Sequence, residues 1–280
     1  MSSLRQAIAA ATATLAEAGI DSAATDAELL AAHVAGLGRG RLALVDDPGI
    51  DFGDRYEQAV RRRARRIPLQ HITGTAAFGP VEVRVGPGVF IPRPETEAML
   101  EWACAQKLPP RPLIVDLCTG SGAIAAAMAA RFPDARVVAV DDDPAALEYA
   151  AGNVSAAVEL LRADVTAAEL LDNLAGTVDL MVANPPYIPL GVPLEAEVAE
   201  HDPEHALFGG VDGLEVIRPI AGHAARLLRP GGLLAVEHDD TTSAATAEII
   251  AATGVFHDVT PRCDLTGRHR FVTARAGARR

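Results

Sequence analysis

From residue 113 onward, short apolar segments alternate with segments that carry the spacing of amphipathic helices. We predict strands at 113–116, 136–140, 159–162, 178–183 and 233–237, and helices at 122–131, 144–153, 213–228 and 242–252. Two final strands, at about 257–262 and 270–274, are expected to form an antiparallel hairpin. Such alternation is typical of a mainly parallel sheet with helices on both faces. This feature therefore predicts an α/β fold with a seven-stranded sheet.

The first part of the chain has a different pattern. Leu4, Ile8, Ala11 and Leu15 recur at the three-to-four spacing of a helix, and no strand-like alternation precedes residue 70. We therefore predict a small N-terminal helical domain over residues 1–72.

A short strand-like segment separates the two patterns. Val81, Val83 and Val85 alternate with charged residues, and glycine and proline on either side predict turns. We interpret residues 73–93 as a β-hairpin linker and residues 94–280 as the α/β domain.

Composition narrows the possible partners. The 280 residues carry a formal net charge of −12, whereas proteins that grip duplex nucleic acid usually present a basic face, so we expect no direct duplex binding. No apolar run approaches the length of a membrane span, and the first residues lack the apolar part of a signal peptide. We therefore expect a cytoplasmic protein with no membrane partner. We also predict no metal site, because His201, Asp202, Glu204 and His205 lack a recognised ligand spacing.

A glycine-containing loop follows the first strand of the α/β domain. That strand ends in Asp116, and Gly120 and Gly122 then allow the backbone to approach a ligand before a helix begins. Ligands of open α/β sheets bind beyond the carboxyl ends of the strands, where the strand order reverses. Taken alone, the two glycines are equally compatible with a tight turn.

The next two strands also end in acidic residues. Asp141 lies about 20 residues beyond the glycines, where a carboxylate can hold ribose hydroxyls. Asp164 follows the third strand, where a carboxylate can meet an adenine amino group. These acids fit a nucleoside better than a dinucleotide pyrophosphate, which prefers positive backbone groups, and Asp116 favours a sulfonium or ammonium group. Helix capping before Pro144 is the alternative role for Asp141.

The fourth strand ends in Asn184-Pro185-Pro186-Tyr187. An amide or aromatic NH2 nitrogen is a poor nucleophile because its lone pair is delocalised. The side-chain carbonyl of Asn184 and the backbone carbonyl of Pro185 can accept its two N–H bonds, which directs the lone pair toward a methyl donor. Tyr187 can lie against the flat substrate group. The alternative is a polar turn that merely ends the strand.

Residues 116–122 and 184–187 together resemble the class I S-adenosylmethionine methyltransferases that act on NH2 groups and have a Rossmann-like sheet. Residues 68–74, 90–97, 201–210 and 264–270 narrow the resemblance to the peptide chain release factor N5-glutamine methyltransferases, the HemK/PrmC group. The resemblance covers nearly the whole chain. Cys118 departs from the family pattern, which usually has glycine there. A Cβ at this position is tolerable only if φ is negative, so we expect a negative φ and a slightly different cofactor geometry.

The resemblance implies methyl transfer from S-adenosyl-L-methionine to the side-chain amide nitrogen, N5, of the glutamine in the Gly-Gly-Gln motif of class 1 release factors. Asn184, Pro185 and Tyr187 would be catalytic, and together with Pro186 they would bind the substrate. Residues 1–72 would recognise the release factor, and residues 94–280 would form the catalytic domain. The implied cofactor-binding residues are Asp116, Cys118, Thr119, Gly120, Ser121, Gly122, Asp141, Asp164, Val165 and Asn184.

Three other functions remain open at this point. A glutamine methyltransferase for a ribosomal protein would share both motifs. An RNA or DNA amino-methyltransferase would need a basic channel or a large recognition insert, which the acidic composition disfavours. A binding protein that keeps cofactor affinity without turnover is disfavoured by the intact Asn-Pro-Pro-Tyr motif.

Overall fold

The computed structural model describes residues 3–45, 49 and 51–278. Residues 46–48 and 50, and the outer ends of the predicted ranges 1–72 and 94–280, lie outside the described residues. The chain divides into two compact units, Met1–Thr75 with Leu194–His201, and Ala76–Pro193 with Asp202–Arg280.

The secondary structure follows the predicted order, helices first and alternating strands and helices later. The helices are α1 (Leu4–Glu17), α2 (Ala23–Ala35), α3 (Phe52–Ala64), α4 (Leu69–Thr73), α5 (Glu97–Cys104), α6 (Ala123–Arg131), α7 (Pro144–Asn153), α8 (Ala196–His201), α9 (Ile217–Leu227) and α10 (Ser243–Ala252). The strands are β1 (Thr75–Phe78), β2 (Val81–Arg84), β3 (Leu113–Leu117), β4 (Arg136–Asp141), β5 (Val158–Arg162), β6 (Val178–Ala183), β7 (Leu228–Glu237), β8 (Phe256–Cys263) and β9 (His269–Ala276).

The first unit contains α1 to α4 and, from much later in the chain, α8. The predicted apolar stripe of α1 is confirmed at Leu4 and Leu15, which are buried in a core with Leu30 and Tyr56. Ser3 caps α1 by accepting a hydrogen bond from the backbone N–H of Gln6. The N-terminal region is therefore helical, as predicted.

A buried ion cluster ties α8 to the other helices of the first unit. Arg63 of α3 is buried, and its Nε and Nη1 atoms donate to Asp26 of α2 at 2.7 Å and to Glu197 of α8 at 2.9 Å. Burial lowers the pKa of Arg63, but the two carboxylates outweigh it and raise the pKa overall. The guanidinium therefore stays charged between two carboxylates.

The second unit is built on a seven-stranded sheet in the order β5-β4-β3-β6-β7-β9-β8. Its first five strands are parallel, and β9 and β8 form the predicted antiparallel hairpin. Alternate residues of β6 pack into two separate hydrophobic cores. Leu180 belongs to one core, and Met181 belongs to the other. Helices cover both faces, and this explains why the strand is apolar at nearly every position. The predicted α/β fold class is confirmed.

The largest differences from the predicted boundaries are at β7 and α9. Strand β7 begins at Leu228 rather than 233, because Leu228 pairs with Val178 before the register shifts. The preceding helix, α9, is also shorter than the predicted 213–228, mainly because it begins at Ile217. Strands β1 and β2 form a separate two-stranded sheet within the segment interpreted as a hairpin.

The strand order reverses between β3 and β6. The chain runs from β3 through β4 to β5 at one edge and then returns to place β6 on the other side of β3. Leu117 and Ala183, the last residues of β3 and β6, are paired across the sheet. The glycine loop and the Asn-Pro-Pro-Tyr motif therefore leave the sheet side by side, at the point where α/β sheets bind ligands.

Candidate active site

A pocket of about 340 Å³ opens at this switch point, within the second unit. Most of the sequence-predicted site residues line it: Cys118, Thr119, Gly120, Ser121, Asp141, Asp164, Val165, Asn184, Pro185, Pro186 and Tyr187. Its size is that of a small-molecule site. The structure therefore brings the predicted cofactor and substrate residues to one cavity.

Asp116 and Gly122 have supporting positions instead of lining the pocket. Asp116 is fully buried, and its Oδ2 accepts a hydrogen bond from the Thr119 hydroxyl at 2.6 Å. Burial raises the pKa of Asp116 to about 7, against the hydrogen bonds from Thr119 and the backbone of Ala125. Gly122 has φ of 79°, and a Cβ there would lie 3.1 Å from the Cβ of Ala150. Both residues fix the shape of the loop from beneath.

Cys118 occupies the left-handed region with φ of 58°, so the expectation of a negative φ was wrong. The loop turns sharply from β3 toward α6, and glycine usually provides this conformation because it has no Cβ. Burial raises the pKa of the Cys118 thiol well above its usual range, and the negative charge of Asp141 adds to the effect. The side chain is therefore a neutral thiol, not a nucleophilic thiolate.

Two acidic side chains are held rigidly at the wall of the pocket. The Asp141 carboxylate accepts hydrogen bonds from the backbone N–H groups of Gly120 at 2.8 Å and Asp143 at 3.0 Å. Burial raises the pKa of Asp141, while these two bonds oppose the rise. Asp164 accepts from both the hydroxyl and the backbone N–H of Thr166, and these bonds lower its pKa.

The Asn-Pro-Pro-Tyr motif is anchored by two side-chain hydrogen bonds. Nδ2 of Asn184 donates to Oγ1 of Thr96 at 3.3 Å, and the Tyr187 hydroxyl donates to Oε1 of Glu237 at 3.0 Å. Burial, followed by the charge of Glu237, raises the pKa of Tyr187 well above its usual range, so the phenol remains a donor. The motif is thus a fixed part of the pocket wall and not a free turn.

A loop that contains residues 203–210 covers one side of the pocket. His205 and Phe208 line the cavity, and Nε2 of His205 lies 3.1 Å from Oδ2 of Asp143. The loop is held to the motif by backbone hydrogen bonds between Ile188 and both Leu207 and Gly209. A Cβ at position 209 would lie 2.5 Å from the carbonyl oxygen of Pro186, and this close approach explains the glycine.

Sequence reasoning assigned no role to Thr96 or Glu237. Both are buried, and each contacts the Asn-Pro-Pro-Tyr motif through a side chain. Glu237 ends the apolar strand β7 next to β6, and an acidic residue at the end of such a strand was the available signal. Thr96 carried no comparable signal, because a hydroxyl before a helix usually caps that helix.

In the part of the chain that the structure describes, no three His, Cys, Asp or Glu side chains are grouped so that they could hold a metal ion. None of the helices within residues 3–45, 49 and 51–278 has both the length and the apolar character needed to cross a membrane.

The parallel sheet with a terminal antiparallel hairpin, the glycine loop at the switch point and the neighbouring Asn-Pro-Pro-Tyr motif define a class I methyltransferase. Family models agree: residues 6–74 match the PrmC N-terminal domain, and residues 96–199 match the methyltransferase small domain. A crystal structure of a methyltransferase from Pyrococcus furiosus shares the fold, with a TM-score of 0.52 and 19% identity over 77% of this chain and 98% of that one.

Full-length relatives define the family more narrowly. The release factor glutamine methyltransferase of Mycolicibacterium smegmatis is 63% identical over 100% of both chains. That of Mycobacterium tuberculosis strain H37Rv is 60% identical over 97% of this chain and 91% of its own length. The chain therefore belongs to the release factor glutamine methyltransferase family.

Proposed function

We propose that this enzyme transfers a methyl group from S-adenosyl-L-methionine to the N5 side-chain nitrogen of the Gly-Gly-Gln glutamine in class 1 peptide chain release factors. The observation that carries the proposal is the pairing of Leu117 with Ala183, which places the glycine loop and Asn184 at adjacent strand ends. The names of the full-length relatives support the choice of release factor as substrate.

The pocket residues fit this cofactor. S-adenosylmethionine supplies an electrophilic methyl group on a positively charged sulfur. The carboxylate of Asp141, which two backbone N–H groups hold at the pocket wall, would bind the ribose hydroxyls. Asp164 and Val165, which line the same pocket, would contact the adenine. Residues 118–121 would supply the close backbone approach, with Asp116 and Gly122 supporting the loop.

The chain's own groups would make the amide nitrogen reactive. Oδ1 of Asn184 and the backbone carbonyl of Pro185 accept its two N–H bonds, since Nδ2 of Asn184 is already directed at Thr96. Pro185 and Pro186 limit the backbone, and the ring of Tyr187 is fixed through its hydroxyl. No strong base is needed, because the methylated nitrogen is acidic enough to lose its proton to water.

We further propose that the helical unit recognises the body of the release factor while the glutamine loop enters the pocket. The enzyme would act in the cytoplasm, where release factors work. The acidic net charge of −12 argues against a nucleic acid substrate.

The experiment supplies purified enzyme and methyl-labelled S-adenosylmethionine with four acceptors: a class 1 release factor, its Gly-Gly-Gln to Gly-Gly-Ala variant, ribosomal proteins and DNA. We expect label on the wild-type factor only, and Asn184→Ala should abolish it while cofactor binding persists. Label on ribosomal protein or DNA alone would refute the proposed substrate. Equal label on the Gly-Gly-Ala variant would refute the proposed residue.

A further inference from the structure

The buried carboxylate of Glu237 lies next to the Asn-Pro-Pro-Tyr motif but does not line the pocket. Glu237 is fully buried at the end of β7 and does not line the cavity. It accepts a hydrogen bond from the Tyr187 hydroxyl, and the Thr96 side chain is close enough to lower its pKa. Thr96 in turn accepts from the amide of Asn184. One carboxylate is therefore connected to both polar side chains of the motif.

The orientation of the Asn184 amide depends on which neighbour receives the single hydroxyl proton of Thr96. A hydroxyl has one proton, and an ionised carboxylate can only accept hydrogen bonds. If the Thr96 hydroxyl donates to the ionised carboxylate of Glu237, it can only accept from Asn184. The NH2 group of Asn184 then faces Thr96, in agreement with the 3.3 Å contact between Nδ2 and Oγ1. Oδ1 of Asn184 then remains for an N–H of the substrate.

Protonation of Glu237 removes this constraint. A protonated carboxyl can donate to Thr96, and the Thr96 hydroxyl can then donate to Oδ1 of Asn184. The amide would turn its NH2 group toward the pocket, where it would oppose the N–H bonds of the substrate. The same change would remove an acceptor from the hydroxyl of Tyr187.

We propose that Glu237 and Thr96 are positioning residues that set the Asn184 amide and the Tyr187 ring in the orientation that receives a substrate NH2 group. This inference rests on the proposed methyl transfer. It also gives a role to two sequence segments that the proposed mechanism does not otherwise use. Residues 90–97 contain Thr96. Residues 264–270 contain Arg270, which interacts with both Tyr187 and Glu237. Asp264 shapes that hairpin turn and holds Arg270 with a hydrogen bond of 3.3 Å.

The groups that face Glu237 place its ionisation near neutral pH. Burial raises its pKa to about 7, while hydrogen bonds from Thr96 and Tyr187 and the charge of Arg270 lower it and Glu95 raises it. His238, the next residue, is buried, and burial lowers its pKa, so it contributes no positive charge. The orientation of Asn184 should therefore improve as pH rises through this range.

The test compares Thr96→Val, Thr96→Ser and Glu237→Gln in the full-length enzyme, with release factor and S-adenosylmethionine as substrates. Thr96→Val should lower kcat at least about tenfold, while KM for the release factor and the cofactor Kd measured by calorimetry change less than about threefold. Thr96→Ser keeps the hydroxyl and should restore most of kcat. In the wild type kcat should rise with pH between 6 and 8, and Thr96→Val and Glu237→Gln should both lose that rise.

The double variant Thr96→Val/Glu237→Gln sharpens the test. If the two residues act as one relay, its kcat should match the slower single variant within about threefold. Losses that multiply, a wild-type kcat for Thr96→Val, or equal losses for the valine and serine variants would each overturn the proposal. If Glu237→Gln does not fold, the two Thr96 variants and the pH profile still decide. A wild-type enzyme that does not methylate release factor would refute the proposed function instead.

Discussion

The two units each bury a charged cluster, and the clusters differ in how completely the charges are paired. In the helical unit Arg63 lies between Asp26 and Glu197, and these partners raise its pKa in spite of burial. In the second unit Glu237 keeps one oxygen, Oε2, without a hydrogen-bond partner among the described residues, and burial raises its pKa to about 7. Complete pairing favours a fixed structure, whereas an incompletely compensated charge beside a pocket is typical of a functional site.

The largest expected effect comes from breaking the complete cluster. Arg63→Met should destabilise the helical unit by about 3–5 kcal/mol, because it leaves the buried carboxylate of Asp26 without its ion partner; Glu197, which is partly exposed, keeps Arg66. Hydrogen exchange in α1 to α3 would measure the loss. Arg65→Met, an exposed change next to the same helix, is the matched control. Equal protection in the two variants would show that the cluster does not hold the unit together.

Replacing Glu237, whose charge is incompletely compensated, should raise the stability of the protein instead of lowering it. The pKa of Glu237 is higher in the folded state than its ordinary value of 4.5, so the folded protein binds a proton that the unfolded chain has lost between about pH 4.5 and 7. Wild-type stability therefore falls as pH rises through this window. Glu237→Gln should be more stable than wild type by up to about 3 kcal/mol at pH 8 and by much less at pH 5.

Urea unfolding of the two proteins at both pH values would measure this difference. Glu248→Gln, an exposed substitution on α10, should change stability equally at pH 5 and pH 8. A Glu237→Gln variant that is less stable at pH 8 than at pH 5, relative to wild type, would contradict the assignment of an uncompensated charge.

The charge of Asp141 is compensated to an intermediate degree, because two backbone N–H groups stabilise its carboxylate at the pocket wall. Asp141→Ala should weaken cofactor binding at least tenfold, a loss of about 1.4 kcal/mol, if the ribose assignment holds. Calorimetry with S-adenosylmethionine measures this directly. Asp134→Ala, at the other end of β4 and exposed, provides the control for net charge. Unchanged affinity for Asp141→Ala would leave the carboxylate with a role in loop structure alone.

The smallest effect is expected at Cys118, where an uncharged side chain adopts a conformation that glycine prefers. Cys118→Gly removes the backbone strain of a left-handed residue in the folded state. It also raises the conformational entropy of the unfolded chain, so the two effects should offset and stability should change by less than about 1 kcal/mol. Cys118→Val should lower the melting temperature clearly, because a β-branched residue is strained at φ of 58°. Similar melting temperatures for these two variants would show that the backbone relaxes at this position.

The sequence predicted the elements whose pattern is local. The apolar runs of β3 and β6 and their polar ends were recognisable because a buried parallel strand is apolar throughout, and this brought the glycine loop and Asn184 together. The short helices α4 and α8 were missed, since five and six residues are too few for a periodic signal. The start of β7 was missed because its pairing passes through a register shift.

What could not be predicted depends on contacts between distant residues. Glu197 is 134 residues from Arg63, and Thr96 is 88 residues from Asn184. No spacing rule covers such pairs. The φ of Cys118 was also misjudged, because the loop geometry requires a left-handed residue there whatever its side chain. The site was thus predictable where residues follow strand ends, but not where they lie behind the motif.

The position of α8 in the sequence affects how chimaeras of this protein can be built. The helical unit takes one segment from the start of the sequence and a second from between Pro193 and Asp202, which interrupts the second unit. A single crossover between residues 63 and 197 would therefore combine Arg63 of one parent with residue 197 of the other. Functional chimaeras that exchange the helical unit need two inserted segments, with residues 63 and 197 taken from the same parent.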